Sequence, residues 1–257
     1  MTDDPSLERL RSLAPLGETF GSARVEAGTR RTFVRELFDQ VAPRYDLMND
    51  LMSFGLHRLW KRVAVAAAAE TPGAATGTIV DLAGGTGDLA LALRKRLPNA
   101  RIVLADASPG MVRVAEARAA GRIECRVAEG EHMPFETRSV DAVMLSFGLR
   151  NMTDPPAAIR EVARILKPGG RLVLLEFSKP SPWFAPLYNI FSRFVIPALG
   201  AVVSGNRGAY RYLVDSIRLF PDAESITREL KTAGFENVTL RRFVFGVAAL
   251  HVAEIAE

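Results

Sequence analysis

From Thr32 onward, segments with helical periodicity alternate with short apolar runs. Val34, Leu37, Phe38 and Val41 recur at helical spacing, and residues 56–70 have the pattern of a second helix before the first strand. This alternation is typical of βαβ units and of a mostly parallel sheet. The pattern therefore predicts a doubly wound α/β fold with additional helices at its N-terminal side.

Seven apolar runs have the length of strands, namely residues 78–82, 101–105, 122–127, 140–145, 171–177, 238–245 and 247–255. Crossover connections join the first five, most of them through a helical segment, so we expect those strands to be parallel. The last two are separated by Gly246 alone and should pair as an antiparallel hairpin. We expect a single domain over residues 31–257 with one mostly parallel, seven-stranded sheet.

Residues 183–203 form an apolar segment that carries Arg193 at its centre and contains Pro186 and Pro197. A central charge disfavours a membrane span, so we expect a helical segment that covers an apolar pocket or lies on a membrane surface. Its stripe at helical spacing consists of Tyr188, Phe191, Phe194, Val195 and Leu199.

Charge and cysteine content narrow the class of protein. The 33 basic and 29 acidic residues are interspersed, and their net charge of +4 forms no basic run that would favour nucleic acid. Cys125 is the only cysteine, so no intrachain disulfide is expected, and with three separated histidines no metal site is expected. The lack of disulfides favours a cytoplasmic protein. Residues 1–30 contain Asp3, Asp4, Glu8 and Glu18 and lack an apolar core, which argues against a secretory signal peptide and indicates a flexible leader.

A glycine-rich turn follows the first strand. Gly84-Gly85-Thr86-Gly87 would bring backbone amides close to a polar ligand at the start of a helix, and Gly85, Gly87 and Ala90 fit the G-x-G-x-x-A pattern. Asp106, about twenty residues on, is placed to accept hydrogen bonds from ribose hydroxyls. The turn alone suits a nicotinamide dinucleotide or S-adenosylmethionine equally, and a plain tight turn is the structural alternative.

Four motifs carry a family resemblance. The segment from Val80 to Asp88 resembles the first motif of class I S-adenosylmethionine-dependent methyltransferases. Residues 45–60, 146–151 and 164–180 are similar to signatures of the ubiquinone and menaquinone biosynthesis C-methyltransferases, and the likeness extends from Thr32 to the C-terminal strands. The resemblance implies a Rossmann-like fold, S-adenosylmethionine as cofactor and methylation of a ring carbon of a prenylated quinol, with demethylmenaquinol as the first candidate.

The resemblance also implies where the cofactor binds. Gly85, Thr86 and Gly87 would face its methionine part, and Ser146 at the end of strand four would line it. The loop after strand three would meet the adenine through Glu129 and Gly130, where the family has a small polar or acidic residue followed by alanine.

For the quinol chemistry that the resemblance implies, three residues are candidates. Arg150, at the carboxyl edge of the sheet, would stabilise a phenolate by its charge, and Asn151 would orient the hydroxyl or a water. Tyr45 would recognise a substrate hydroxyl. The alternatives are an ordinary salt bridge for Arg150 and a packed helix residue for Tyr45, and His57 is expected to pack beside Trp60 rather than act as a base.

Two other classes of function share parts of this pattern. A nicotinamide-dependent oxidoreductase would use the same glycine-rich turn, and a membrane-surface or RNA-binding module would use the net charge and the apolar segment. The partners expected for the methyltransferase are the quinol, the inner face of the membrane and a second copy of the chain, without nucleic acid.

Overall fold

The central sheet has seven strands, as the sequence predicts. The computed structural model describes residues 12–20, 23–42, 45–195 and 207–256. Two short strands lie near the N-terminus, β1 (Thr19–Phe20) and β2 (Ala23–Arg24), and form a separate antiparallel pair. The strands of the large sheet are β3 (Thr78–Leu82), β4 (Arg101–Asp106), β5 (Glu124–Val127), β6 (Val140–Ser146), β7 (Leu166–Phe177), β8 (Phe235–Phe243) and β9 (Ala248–Ile255).

Helices cover both faces of this sheet. They are α1 (Ala27–Val41), α2 (Tyr45–Ser53), α3 (Leu56–Ala69), α4 (Asp88–Arg96), α5 (Pro109–Ala119), α6 (Pro155–Ile165), α7 (Ala185–Ile190), α8 (Arg207–Leu219) and α9 (Ala223–Thr232). The strand order is β5-β4-β3-β6-β7-β9-β8, with β9 antiparallel to both of its neighbours. The order reverses beside β3, and in such sheets ligands bind at the carboxyl ends of the strands at this point.

Alternate side chains of the central strands enter two different cores. Ile79 of β3 packs with α3, α4 and α5 on one face, whereas its neighbour Val80 packs with α6 and α9 on the other. Both residues are fully buried. Burial on both faces explains why these strands are continuous apolar runs in the sequence.

The N-terminal segment corrects the prediction of a flexible leader. Leu13 is fully buried, Leu16 nearly so, and both pack in the core around α6 and α9. The amide of Ser12 donates to the Glu229 carboxylate at 3.0 Å. The prediction is therefore wrong for the described residues from 12 to 30, and residues 1–11 lie outside the described part of the chain.

The apolar segment from 183 to 203 begins with α7 and continues as a π-helical turn, Phe191–Val195. Its remainder, with Leu199, lies outside the described residues. Across the parts of the chain that the structure describes, no helix has the length and apolar character needed to cross a membrane.

Candidate active site

A cleft opens at the carboxyl ends of β3, β4 and β6. The chain leaves β3 through left-handed backbone at Ala83, Gly85 and Gly87, with φ values of 52°, 56° and 87°. A Cβ atom at Gly84 would lie 2.8 Å from Cγ of Leu104, so the neighbouring turn position requires glycine. This turn places the backbone of Gly85 in the wall of the cleft.

Asp106, the last residue of β4, lies beside this turn in the same wall. Its carboxylate accepts hydrogen bonds from the amides of Gly85 and Ser108, each at 2.9 Å. Burial raises the pKa of Asp106 to about 6, although both amides favour the ionised form. Each carboxylate oxygen keeps a lone pair that can accept from a ligand hydroxyl.

The facing wall comes from the loop after β5 and the turn after β6. Glu129, Gly130, Asn151 and Met152 line it. A Cβ atom at Gly130 would lie 2.9 Å from Cε of Met152, so this loop packs closely on the opposite turn. Glu129 and Gly130 thus lie in the cleft with Gly85 and Asp106.

The chemistry of the lining fits a nucleoside that carries positive charge. Val34, Met111 and Met152 supply apolar surface, and the carboxylates of Asp106 and Glu129 supply acceptors and negative charge. S-adenosylmethionine has an adenine ring, ribose hydroxyls and a sulfonium, and these three parts match that lining.

Three of the predicted cofactor residues lie next to the cleft rather than in its described wall. Thr86 is buried, and its hydroxyl donates to Asp46 at 3.0 Å. Gly87 precedes α4 in left-handed conformation. Ser146 ends β6 with a buried hydroxyl that has no partner among the described residues.

Helix α1 crosses over this cleft. Arg31, Val34, Arg35 and Phe38 line the cleft from the helix. The sequence predicted a helix with Val34 and Phe38 on its apolar stripe, but not that this stripe covers a cleft. No motif marked it, because amphipathic spacing alone does not show what a helix covers.

Each end of α1 is fixed by a polar side chain. At its start, Arg30 is 1% exposed and donates to the carbonyl oxygens of Arg150 at 2.9 Å, Asn151 at 3.2 Å and Met152 at 2.5 Å. Near its end, Asp39 accepts from the amide of Gly110 at 2.9 Å and from the hydroxyl of Ser108 at 2.5 Å. The helix is thus tied across the cleft at both sides.

An apolar pocket of about 340 Å³ lies next to the cleft. Aromatic side chains make up much of its wall: Trp60, Phe147, Phe177, Phe184, Tyr188 and Phe191. Its described polar lining residues besides Tyr188 are Asn49, Ser53 and His57. The pocket is therefore suited to an aromatic ring with an apolar substituent.

Phe147 lines both cavities. It follows β6 with φ of 56°, a conformation that few residues other than glycine adopt. Its ring packs against Phe177 with centroids 4.7 Å apart. A group bound in the cleft and a ring bound in the pocket would therefore meet at Phe147.

Arg150 lies behind this aromatic wall, outside the described lining of both cavities. Its guanidinium is 5.1 Å from the Phe177 ring centroid and forms a 2.6 Å ion pair with Glu176, with both side chains buried. Asn151 lines the cleft, and its side-chain oxygen accepts from the hydroxyl of Tyr212 at 3.1 Å. Tyr45 begins α2, but its side chain lies outside what the structure describes.

His57 lines the apolar pocket near the start of α3 and is 4% exposed. Its Nε2 lies 2.8 Å from Oδ1 of Asp50, which also accepts two hydrogen bonds from Arg58 at 2.6 Å. The sequence predicted His57 chiefly as a packing residue. Its hydrogen bond to Asp50 was not apparent, because the two residues lie on different helices.

Comparison with known families decides between the cofactors. Residues 25–254 match the model of the ubiE/COQ5 methyltransferase family. The chain belongs to that family. Membership confirms the predicted family, and this methyltransferase uses S-adenosylmethionine rather than a nicotinamide cofactor.

Individual relatives agree with this assignment. The ubiquinone/menaquinone biosynthesis C-methyltransferase UbiE of Rubrivivax gelatinosus is 46% identical over 238 residues, which are 93% of each chain. The protein of the same name from Dinoroseobacter shibae is 44% identical over 90% of this chain and 94% of its own.

Solved structures support the fold of this ubiE/COQ5 family member. The [4+2]-cyclase SpnF aligns with a TM-score of 0.64 at 18% identity, over 88% of this chain and 97% of its own. A possible histamine N-methyltransferase from Thermotoga maritima aligns with a TM-score of 0.60 at 19% identity, over 86% and 99% of the two chains. The predicted class I methyltransferase fold, with its reversed C-terminal strand, is confirmed.

Proposed function

We propose that this enzyme transfers the methyl group of S-adenosylmethionine to a ring carbon of a prenylated quinol in menaquinone or ubiquinone biosynthesis. Demethylmenaquinol is the first candidate and a methoxy-polyprenyl-benzoquinol the second. The observation that carries the proposal is the meeting, at Phe147, of a nucleoside cleft and an aromatic pocket. The names of the relatives supply the substrate class.

When bound, the cofactor supplies an activated methyl group, and the protein must align the acceptor carbon with it. We assign the ribose to Asp106, the methionine part to the turn from Gly85 to Gly87, and the adenine to Glu129 and Gly130. Thr86 and Ser146 support this arrangement from positions beside the cleft. In the described lining of the cleft, three carboxylates stand against two guanidinium groups, and this excess of negative charge favours the cationic cofactor over its neutral product, which has lost the sulfonium charge.

The aromatic pocket suits the quinol ring because offset and edge-to-face contacts between aromatic rings are favourable. Asn151 would orient a quinol hydroxyl or a water from the cleft side, and Tyr45 would recognise a hydroxyl from α2. Arg150 would stabilise the phenolate through its closeness to the Phe147 and Phe177 rings. Glu176 neutralises much of the charge of Arg150. The alternative role of Arg150 is therefore a structural one, as half of this ion pair.

The prenyl tail would leave the pocket along α7 and the turn that follows. Phe54, Leu187 and Phe191 line the pocket on this side, and exposed Trp183 and Phe194 continue the apolar surface beyond it. Such a surface beside a lipid-binding pocket favours contact with the membrane that holds the quinol.

The test is methyl transfer in vitro from labelled S-adenosylmethionine to each of the two quinols, kept reduced under anaerobic conditions. We expect one product that is heavier by a methyl group on a ring carbon, as shown by mass spectrometry. Asp106→Ala serves as the control that lacks the ribose acceptor. Failure of the wild-type protein to methylate either quinol, while it binds the cofactor, would contradict the proposal.

A further inference from the structure

The quinol hydroxyl must lose a proton for its ring carbon to become a strong nucleophile, so the pocket needs a base. Four described lining residues have polar side chains: Asn49, Ser53, His57 and Tyr188. Burial raises the pKa of Tyr188 to about 12, so its hydroxyl keeps its proton. His57 is then the described lining residue with a side chain able to accept a proton near neutral pH.

The surroundings of His57 determine which of its nitrogens is free. Arg58 donates two hydrogen bonds to Asp50 and holds the pKa of that carboxyl well below its usual range. An ionised carboxylate only accepts hydrogen bonds, so Nε2 of His57 must donate to it. The lone pair of the neutral imidazole is therefore on Nδ1.

Nδ1 is buried and has no hydrogen-bond partner in the described part of the chain. Leaving a buried acceptor unsatisfied is unfavourable, and each such group calls for an explanation. A substrate hydroxyl that enters the pocket would provide the missing donor.

We propose that His57, oriented by Asp50, is the catalytic base that accepts the hydroxyl proton of the quinol. The inference rests on the proposed function, since it needs a quinol in the aromatic pocket. Asp50 acts as a positioning residue, because it touches the imidazole and not the substrate. Arg58 in turn fixes Asp50 from the solvent side.

The hydroxyl proton passes to Nδ1, and the ring carbon ortho to the phenolate forms a bond to the methyl carbon as the bond from that carbon to sulfur breaks. The electron pair of the broken bond stays on sulfur. The ring carbon then gives its proton to water while the imidazolium returns a proton to the ring oxygen, which restores the quinol with a net release of one proton.

The surroundings of His57 favour its neutral imidazole, which is the form that can accept a proton. Burial lowers its pKa, and the cations Lys61 and Arg58 on α3 act in the same direction, whereas Asp50 on α2 opposes them. Lys61 is itself paired with Asp88 of α4 at 3.3 Å. We therefore expect turnover to fall in acid as His57 becomes protonated.

The first measurement is the pH profile of kcat for wild-type enzyme with a short-tailed quinol. It establishes the methylation independently of His57. His57→Gln should then lower kcat by about 10²- to 10⁴-fold, the range of general base catalysis, and abolish the acid limb of the profile. The dissociation constant for S-adenosylmethionine should stay within about twofold, because His57 lies outside the described cleft lining.

His251→Gln is the matched control. His251 is equally buried, with Nε2 bonded to the carbonyl of Ala223 at 2.9 Å and Nδ1 unpartnered, but it lies outside the described lining of both cavities. A general effect of losing a buried histidine would appear in both variants. We expect the acid limb to persist in His251→Gln.

Two further measurements keep the inference testable if His57→Gln is poorly folded. Imidazole in the buffer should raise the turnover of His57→Ala but leave that of the wild type unchanged. Asp50→Asn should lower kcat and move the acid limb to lower pH, because it removes the charge that favours the imidazolium. An active wild type with His57→Gln at full kcat and an unchanged acid limb would overturn the role of His57 and leave the proposed function standing.

Discussion

Arg150 and Glu176 form an ion pair of 2.6 Å that is almost completely buried, with side-chain exposures of 3% and 2%. The pair joins the turn after β6 to the end of β7, and Arg150 also donates to the carbonyl of Phe147 at 2.6 Å. Glu176 accepts in addition from the amide of Phe177 at 2.8 Å. The two residues whose rings wall the aromatic pocket are thus held by the same pair.

Arg150→Met should destabilise the protein by about 3–5 kcal/mol, because it leaves Glu176 charged, buried and unpaired. Adding Glu176→Gln should recover part of that loss. Denaturant unfolding measures both. Turnover should also fall more than tenfold with cofactor affinity nearly intact, and Arg150→Lys should restore only part of the rate. Full stability of Arg150→Met would argue against a structural role.

Asp106→Ala should weaken S-adenosylmethionine binding by about 1.5–3 kcal/mol, the loss expected for a charged acceptor on hydroxyl groups. In the wild type, affinity should fall as the pH drops through about 6, since protonation removes the negative charge and one acceptor site. Calorimetry across pH 5–8 measures both effects. Equal affinity of variant and wild type would remove Asp106 from the site.

Asp81 offers a test of stability against pH. It is 1% exposed and accepts from the amide of Ala90 at 2.9 Å, and burial raises its pKa from 3.8 to about 7. The folded state therefore holds this proton more tightly than the unfolded state, so the contribution of Asp81 to stability declines as the pH rises from about 4 to 7.

Asp81→Asn should accordingly be more stable than wild type at pH 8 by about 1–4 kcal/mol, at about 1.4 kcal/mol per unit of pKa. The difference should shrink towards pH 4. Urea unfolding at several pH values checks this. A difference that is independent of pH would mean that ionisation of Asp81 does not cause it.

Phe191 and Phe194 belong to the same apolar segment but lie in different places, one in the aromatic pocket and the other at the surface. Phe191 lines the aromatic pocket, whereas Phe194 is 65% exposed and lies outside its described lining, contrary to a common role for the whole stripe. Phe191→Ser should raise KM for a long-tailed quinol in detergent more than for a short-tailed one. Phe194→Ser should leave both values unchanged in detergent and reduce binding to anionic phospholipid vesicles. Equal KM changes for both tails in Phe191→Ser, with a lower Tm, would make Phe191 a core residue only.

Arg30 should matter for stability and for the cofactor together. Arg30→Ala removes charged donors from four backbone carbonyls and is expected to cost about 2–4 kcal/mol. Arg30→Lys should recover only a part, because an ammonium lacks the planar fork. Hydrogen exchange in residues 23–42 should rise in both variants. Unchanged exchange would show that α1 is held elsewhere.

The sequence predicted the sheet well because buried parallel strands are apolar on both faces. The first strand was predicted with its observed bounds, residues 78–82, and the reversed last strand followed from Gly246 between two apolar runs. The fifth strand was predicted to begin at Arg171, but β7 begins at Leu166, and its register against β6 shifts before Arg171. An irregular pairing of this kind produces no regular apolar pattern in the sequence, so the true start of the strand could not be predicted.

The site was predictable where functional residues lie at or just after the end of a strand, as Gly85 and Asp106 do. It was not predictable where function depends on contacts distant in sequence. Arg30 was assigned to a leader, yet it contacts residues about 120 positions away. Asp39 and Ser108 likewise meet across 69 positions. No local spacing encodes these partners.

We expect the two ties of α1 to slow cofactor exchange. If the cofactor enters or leaves past α1, which lines the cleft, either the Arg30 end or the Asp39 end must open first. The spent cofactor would then depart at a rate set by breaking those hydrogen bonds and not by its own affinity. Under saturating quinol, the enzyme should show a burst of one methylated product per active site before slower turnover begins.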